Sequence, residues 1–229
     1  LAFVELTDGH ASYVFYDENT AGRMLDPKDL PAIPADAKAM YFGGISLINE
    51  PAADFYIALA MRESGVRVIV ADPNIRANFV TDEKRYRARL DQLIACVDIL
   101  KVSDEDLDWI IPGDLSQIEK AKALRARGPE IVVLTRGSEG ACALFGSDEI
   151  TEISAQKVEV ADTVGAGDTF NAGFLAGLLD HHLLERSRIK EIGADALKHA
   201  LSYGANVAGV TVSRHGANPP WLNELKEAH

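Results

Sequence analysis

The run Val66–Ala71 is apolar at every position but Arg67. A short, unbroken apolar run of this kind is the mark of a strand buried on both faces, and such a strand needs helices above and below it. The surroundings supply them. Pro51 opens a helical pattern that continues through Ser64 and stops at Gly65, the usual Pro-start and Gly-end asymmetry. Ala39–Phe42, ending in Gly43-Gly44, reads as a preceding strand; Val97–Leu100 and Ile131–Leu134 read as later ones. Between them lie helical patterns over Asp82–Ala95, from the N-cap Ser103 onward, and over Ser116–Arg127. Strands alternating with helices mean right-handed crossovers and a mostly parallel sheet, so the fold class is α/β. Ala141–Phe145 and Glu149–Ile153 form a hairpin across Gly146-Ser147-Asp148, and Ala166–Leu179 and Ile189–Val212 are the last helical stretches.

The beginning of the chain breaks this rhythm. Leu1–Leu6 and Ala11–Tyr16 are strand-like, and the Asp8-Gly9 pair between them signals a hairpin. Asp17–Lys38, with Pro27, Pro31 and Pro34, is a polar surface connection. The expected division is a partial β lid over 1–16 and an α/β domain over 17–229. Phe3, Tyr13 and Phe15 in the hairpin need a cover, which the body of the domain or a second copy of the chain would provide.

Charge excludes one large class of partners. Lys and Arg number 23 against 35 Asp and Glu, a formal net charge of −12, which repels a phosphate backbone and makes nucleic acid a poor partner. Phosphate chemistry here must rely on local backbone dipoles or isolated basic groups. Cys96 and Cys142 lie in apolar runs without metal or redox spacing, as in a reduced, cytoplasmic protein. No apolar run is long enough to span a bilayer, so no membrane partner is expected.

The strongest local signal is Asp162-Thr163-Val164-Gly165-Ala166-Gly167-Asp168-Thr169-Phe170-Asn171-Ala172-Gly173-Phe174. Gly165, Ala166 and Gly167 are small and let another group approach the backbone closely. They open an apolar helix, and free N–H groups at a helix start form an anion site. Asp168 falls in that first turn, where the helix dipole favours its anion. A carboxylate beside an oxyanion cradle suits a base that takes a proton from an attacking hydroxyl. The plainer alternative is helix capping. A P-loop is excluded because the chain has no Gly-Lys pair, and the dinucleotide fingerprint fails because Phe170 stands where its third Gly belongs.

Taken together with four other segments, this stretch resembles the C-terminal signature of the PfkB, or ribokinase-like, carbohydrate kinases. Asp72-Pro73-Asn74-Ile75-Arg76 is similar to the D-x-N-x-R segment of the fructokinase and 2-keto-3-deoxygluconate kinase branch. Lys101-Val102-Ser103-Asp104-Glu105-Asp106 resembles K-x-N-x-x-E, Thr135–Ala141 resembles T-x-G-x-x-G, and Val212–Ala217 resembles the terminal V-T-R-x-G-A block. The resemblance implies a three-layer α/β/α fold with a small β lid. It also implies that roughly 80 to 95 residues of a complete relative precede the part matched by Leu1.

The implied activity is ATP-dependent phosphorylation of a primary hydroxyl of a ketose, with fructose the first choice. 2-Keto-3-deoxygluconate kinase, ribokinase or nucleoside kinase, and a non-catalytic ligand-binding relative are the alternatives. By resemblance, Asp168 is the general base, and Gly165, Ala166 and Gly167 with the Asp168 amide form the anion hole. Thr135, Gly137 and Gly140 contact nucleotide phosphate and ribose, or else make a plain strand-to-hairpin turn. Asn206 and Asn218 edge the adenine. Mg²⁺ arrives with the nucleotide, near Ser103 and Asp106, which stand where relatives have Asn and Glu; Ser103 is equally a sound N-cap. Asn74 and Arg76 follow a strand's carboxyl end and face the substrate. Asp162, Val164, Thr211, Arg214 and Gly216 hold the positions of a monovalent cation site (K⁺ in the family), which Pro220 puts in doubt by replacing a hydroxyl. A small-molecule sugar is the expected partner, with homodimerisation through the lid.

Overall fold

The computed structural model describes residues 2–7 and 10–225. Its main sheet has six strands in the order β3 (Ala39–Gly43), β4 (Val68–Asp72), β5 (Ile99–Ser103), β6 (Ile131–Thr135), β7 (Ala141–Phe145) and β8 (Glu149–Ile153). The pairs from β3 to β6 are parallel and the last two antiparallel.

Alternation along each strand builds two separate cores. Ile69, Ala71, Leu100, Val102, Val132 and Leu134 point to one face, covered by α1 (Ala52–Glu63), α2 (Glu83–Ile94), α3 (Asp104–Ile110) and α4 (Gln117–Arg125). Val68, Val70, Ile99, Ile131 and Val133 point to the other, where they meet Phe170, Phe174 and Leu178 of α5 (Ala166–Asp180) and Leu197, Ala200 and Leu201 of α6 (Ala194–Val212). The result is the three-layer α/β/α arrangement expected. α5 and α6 pack closely because their contact is lined by small residues: a Cβ on Gly173 would lie 2.8 Å from the Gly204 Cα.

Two strands begin later than the sequence suggests, for one reason. The amides of Val66 and Arg67 both donate to the Glu63 carbonyl at 2.9 Å, so these residues finish α1 rather than start β4. Val66 is 65% exposed, and the Arg67 guanidinium pairs with Glu63. In the same way Cys96 and Val97 donate to the Leu93 carbonyl and close α2, so β5 starts at Ile99. The stretch from Ile189 splits into a 3₁₀ turn, Ile189–Glu191, and α6, with Gly193 as the N-cap. Cys142 is buried, Cys96 partly so, and both are free thiols. No helix among the described residues is long and apolar enough to cross a membrane.

At the start, β1 (Ala2–Thr7) and β2 (His10–Phe15) form a separate antiparallel two-stranded sheet, in register Thr7 to His10. The Asp8-Gly9 turn lies outside the described residues.

Candidate active site

The parallel strands end at one edge of the sheet, the edge where open α/β folds bind ligands. Asp72 ends β4, Ser103 ends β5 and Thr135 ends β6; α5 begins at the same edge.

The start of α5 is open. Gly165, the N-cap, has φ +81°, a left-handed conformation that favours glycine, and no side chain caps the helix. Ala166 N donates to the Thr163 carbonyl at 3.2 Å. The amides of Gly165, Gly167 and Asp168 have no acceptor among the described residues. Asp168 is exposed in this turn. Thr169 Oγ bonds back to the carbonyls of Gly165 (2.9 Å) and Ala166 (3.2 Å), which stiffens the turn without covering its amides.

Asp162 steadies the approach to the helix. One carboxylate oxygen accepts from Val164 N at 3.0 Å and the other from Gly216 N at 2.9 Å, tying the loop before α5 to the terminal loop. These two amides hold its carboxyl below the usual carboxylate range. The five residues expected around a monovalent cation therefore lie in two adjoining loops and, for Thr211, in the buried last turn of α6, several of them in other contacts. The Thr211 hydroxyl donates to the Val207 carbonyl, the Thr211 carbonyl accepts from Arg214 N, and the Arg214 guanidinium pairs with Glu224 at 2.7 Å.

The start of α3 is closed. Ser103 Oγ accepts from Asp106 N at 3.0 Å, and Asp106 Oδ2 accepts from Ser103 N at 3.2 Å, a complete capping box. Asp106 is buried, and its other oxygen takes Ile75 N at 2.7 Å, pinning the loop after β4. Arg76 in that loop is folded back: its guanidinium bonds the Asn74 carbonyl and side-chain oxygen. Gly137 and Gly140 bound a 3₁₀ turn after Thr135. At Gly140, φ is +100° and a Cβ would sit 2.1 Å from the Ile153 carbonyl, so glycine is required there by the hairpin packing alone. Asn206 is partly buried on α6, and Asn218 lies exposed in the terminal loop.

Four residues at this edge have no role assigned from the sequence, although Asp72 and Lys101 open two of the resembling segments. Asp72 is 1% exposed, and its Oδ2 accepts from Lys101 Nζ at 3.0 Å and Asn171 Nδ2 at 2.8 Å. Its Oδ1 takes Asn74 N at 3.1 Å. Burial pushes the Asp72 carboxyl up, and Lys101 and Asn171 oppose this. Asn171 also donates to the Tyr41 hydroxyl at 3.1 Å. The Tyr41 ring is half-exposed but its hydroxyl turns inward, where burial, with Asp72 and Asp168 adding, raises its pKa above the phenol range and keeps it protonated. The signals were a lone Asp ending an apolar strand, a lone Lys inside another, and an Asn one turn beyond Asp168. A cavity of about 400 Å³ lies between the 17–24 connection and α1, lined by Asp17, Arg23, Ser46 and Asn49 among others; none of the expected site residues lines it.

Comparison with known proteins agrees with this geometry. The family model of the pfkB family carbohydrate kinases matches residues 1–224. The chain is 44% identical over 200 residues to a fructokinase of Rhizobium leguminosarum bv. trifolii, covering 87% of this chain and 60% of the relative. It thus spans about three fifths of that relative's length. Aminoimidazole riboside kinase from Salmonella enterica, solved with aminoimidazole riboside and an ATP analog, is 26% identical with a TM-score of 0.73, over 90% of this chain and 65% of that one. A fructokinase from Xylella fastidiosa with bound ATP is 20% identical with a TM-score of 0.80, over 94% and 68%, a likeness of fold. With a family match over nearly its whole length and the family's glycine-rich turn open at the sheet edge, the chain belongs to the pfkB family of carbohydrate kinases.

Proposed function

We propose that the protein transfers the terminal phosphoryl group of ATP to a primary hydroxyl of a ketose, fructose first among them. The observation that carries this is the open first turn of α5: three unpartnered amides with the exposed Asp168 carboxylate among them. The amides of Gly165, Gly167 and Asp168 would receive the charge that gathers on the transferred group. Asp168 accepts the proton of the attacking hydroxyl.

A divalent ion would come with the nucleotide, held mainly by its phosphates, and keep most of its waters. Asp106 fits the role of orienting such a water only in part. Both its oxygens already accept an amide, and each keeps one lone pair. When bound, the ion supplies charge neutralisation of the phosphates. The separate two-stranded sheet is, in this reading, the lid that excludes water. Its exposed Phe3–Tyr16 edge-to-face pair, 5.7 Å between centroids, is a surface for a second copy to cover.

The test is coupled ADP release by the intact protein with fructose, ribose and 2-keto-3-deoxygluconate. Fructose should give the highest kcat/KM. ADP release that no sugar stimulates would overturn the assignment.

A further inference from the structure

Lys101 sits in the middle of β5, between Leu100 and Val102, which point to the opposite face. Its side chain is 8% exposed. An ammonium offers three donors, and Asp72 is the one acceptor Lys101 has among the described residues. The ammonium also lies against the first turn of α5: a Cβ on Gly167 would lie 3.4 Å from Lys101 Nζ. The missing side chain of Gly167 therefore leaves the ammonium directly beneath the turn that carries the unpartnered amides. Asp72 connects the same turn from the other side, because Asn171, one turn along α5 from Gly167, donates to the same Asp72 oxygen that Lys101 uses.

A buried ion pair is seldom retained for stability. Well-packed uncharged replacements of similar volume are often neutral or stabilising, whereas removal of one partner is strongly destabilising. With Asn171, the pair ties together three elements far apart in sequence: β4, β5 and α5. We propose that Lys101 is a positioning residue of the phosphoryl-transfer site, a fixed cation that, with Asp72 and Asn171 as its holder, sets the first turn of α5 and supports negative charge gathering there. This rests on the kinase reading above. It differs from a packing role in one respect: the charge itself, and not just the filled volume, is needed.

Single substitutions would leave a buried charge unpaired, so the informative variant removes both. Lys101→Met with Asp72→Asn keeps the volume and one side-chain oxygen; Asn171 can turn its amide to match. The intact wild-type protein is first assayed for sugar-dependent ADP release, and absence of that activity is a failure of the kinase reading, not of this one. Given activity, the double variant should melt within a few degrees of wild type and bind Mg-ATP with a Kd within about three-fold. Its kcat should fall about 100-fold, and KM for ATP should change little. A double variant with kcat within three-fold of wild type would overturn the proposal. Should that pair unfold, Lys101→Gln with Asp72→Asn makes the same comparison with a donor retained. Lys101→Arg, which keeps the charge, should recover at least a tenth of wild-type kcat; a kcat as low as in the uncharged pair would equally count against the cation.

Discussion

Two helices start at the ligand edge of the sheet, one on each face, and the chain treats them in opposite ways. At α3 the N-cap and first-turn amides are met by the chain's own side chains: Asp106 takes Ser103 N, Asp104 takes Glu105 N and Ser103 takes Asp106 N. At α5 the residue in the capping position is a left-handed glycine, and three amides are left open. Both ends have a nearby carboxylate with each oxygen on a backbone amide. Asp106 spends one of its oxygens on its own helix cap, while Asp162 spends both on the loops around α5 and none on the helix. A helix start can thus be rigid without being sealed, provided the carboxylate that steadies it sits one step outside. The sealed end stabilises; the open end is free to receive charge from a ligand.

The largest effect should come from the open end. Asp168→Asn keeps the shape of the turn and removes the proton acceptor. Its kcat should fall by roughly 10²–10⁴, the usual weight of a positioned base, with Mg-ATP affinity by calorimetry unchanged. A kcat within a few-fold of wild type would make Asp168 a cap like those of α3, and the contrast between the two ends would vanish.

The closed end should respond in stability instead. Ser103→Ala removes one cap and should cost about 1 kcal/mol, lowering Tm by roughly 2–4 °C for a chain of this size. Asp106→Ala leaves the Ser103 and Ile75 amides without acceptors and should cost about 2 kcal/mol. In Ser103→Ala, kcat should stay within a few-fold. A hundred-fold loss of kcat at unchanged Tm would show that Ser103 serves the nucleotide, as the family resemblance implies for its position, and that the α3 end is sealed only until ligand arrives.

The open end was legible in the sequence and the ion pair beneath it was not, and the reason is distance along the chain. Gly165 to Phe174 carries its own meaning: small residues, then an apolar helical spacing, then a carboxylate in the first turn. The start of α5 at Ala166 follows from those ten residues alone. Asp72 and Lys101 are 29 residues apart, and Asp72 and Asn171 are 99 apart. Each belongs to a segment the sequence marks, but nothing in those segments joins them until the sheet order sets β4 beside β5 and α5 across their face. The late starts of β4 and β5 have a related cause. Val66 and Val97 have strand-like side chains, but their amides belong to the helix that has just ended. Side-chain pattern does not record where the backbone's hydrogen bonds go.

The smallest effect concerns how the open end is held. Asp162 lies outside the helix and its carboxyl is held low by the amides of Val164 and Gly216. A carboxyl whose folded pKa lies below its unfolded value stabilises the fold fully above that unfolded value, near 3.9, and the contribution is lost as pH falls through the folded pKa. Protonation costs the loop its anionic acceptor, so the contribution should fade as pH drops below about 4. Asp162→Asn keeps one oxygen acceptor and carries no titrating charge. The Tm gap between wild type and Asp162→Asn should therefore be open at pH 5.5 and narrow steadily towards pH 3. Solvent screening keeps it to a few degrees at most, because the carboxylate is only partly covered. A gap of the same width at both pH values would mean that the latch depends on the shape of the residue rather than its charge. In that case the open start of α5 would owe its rigidity to Gly165 and the Thr169 back-bonds, with no outside carboxylate required.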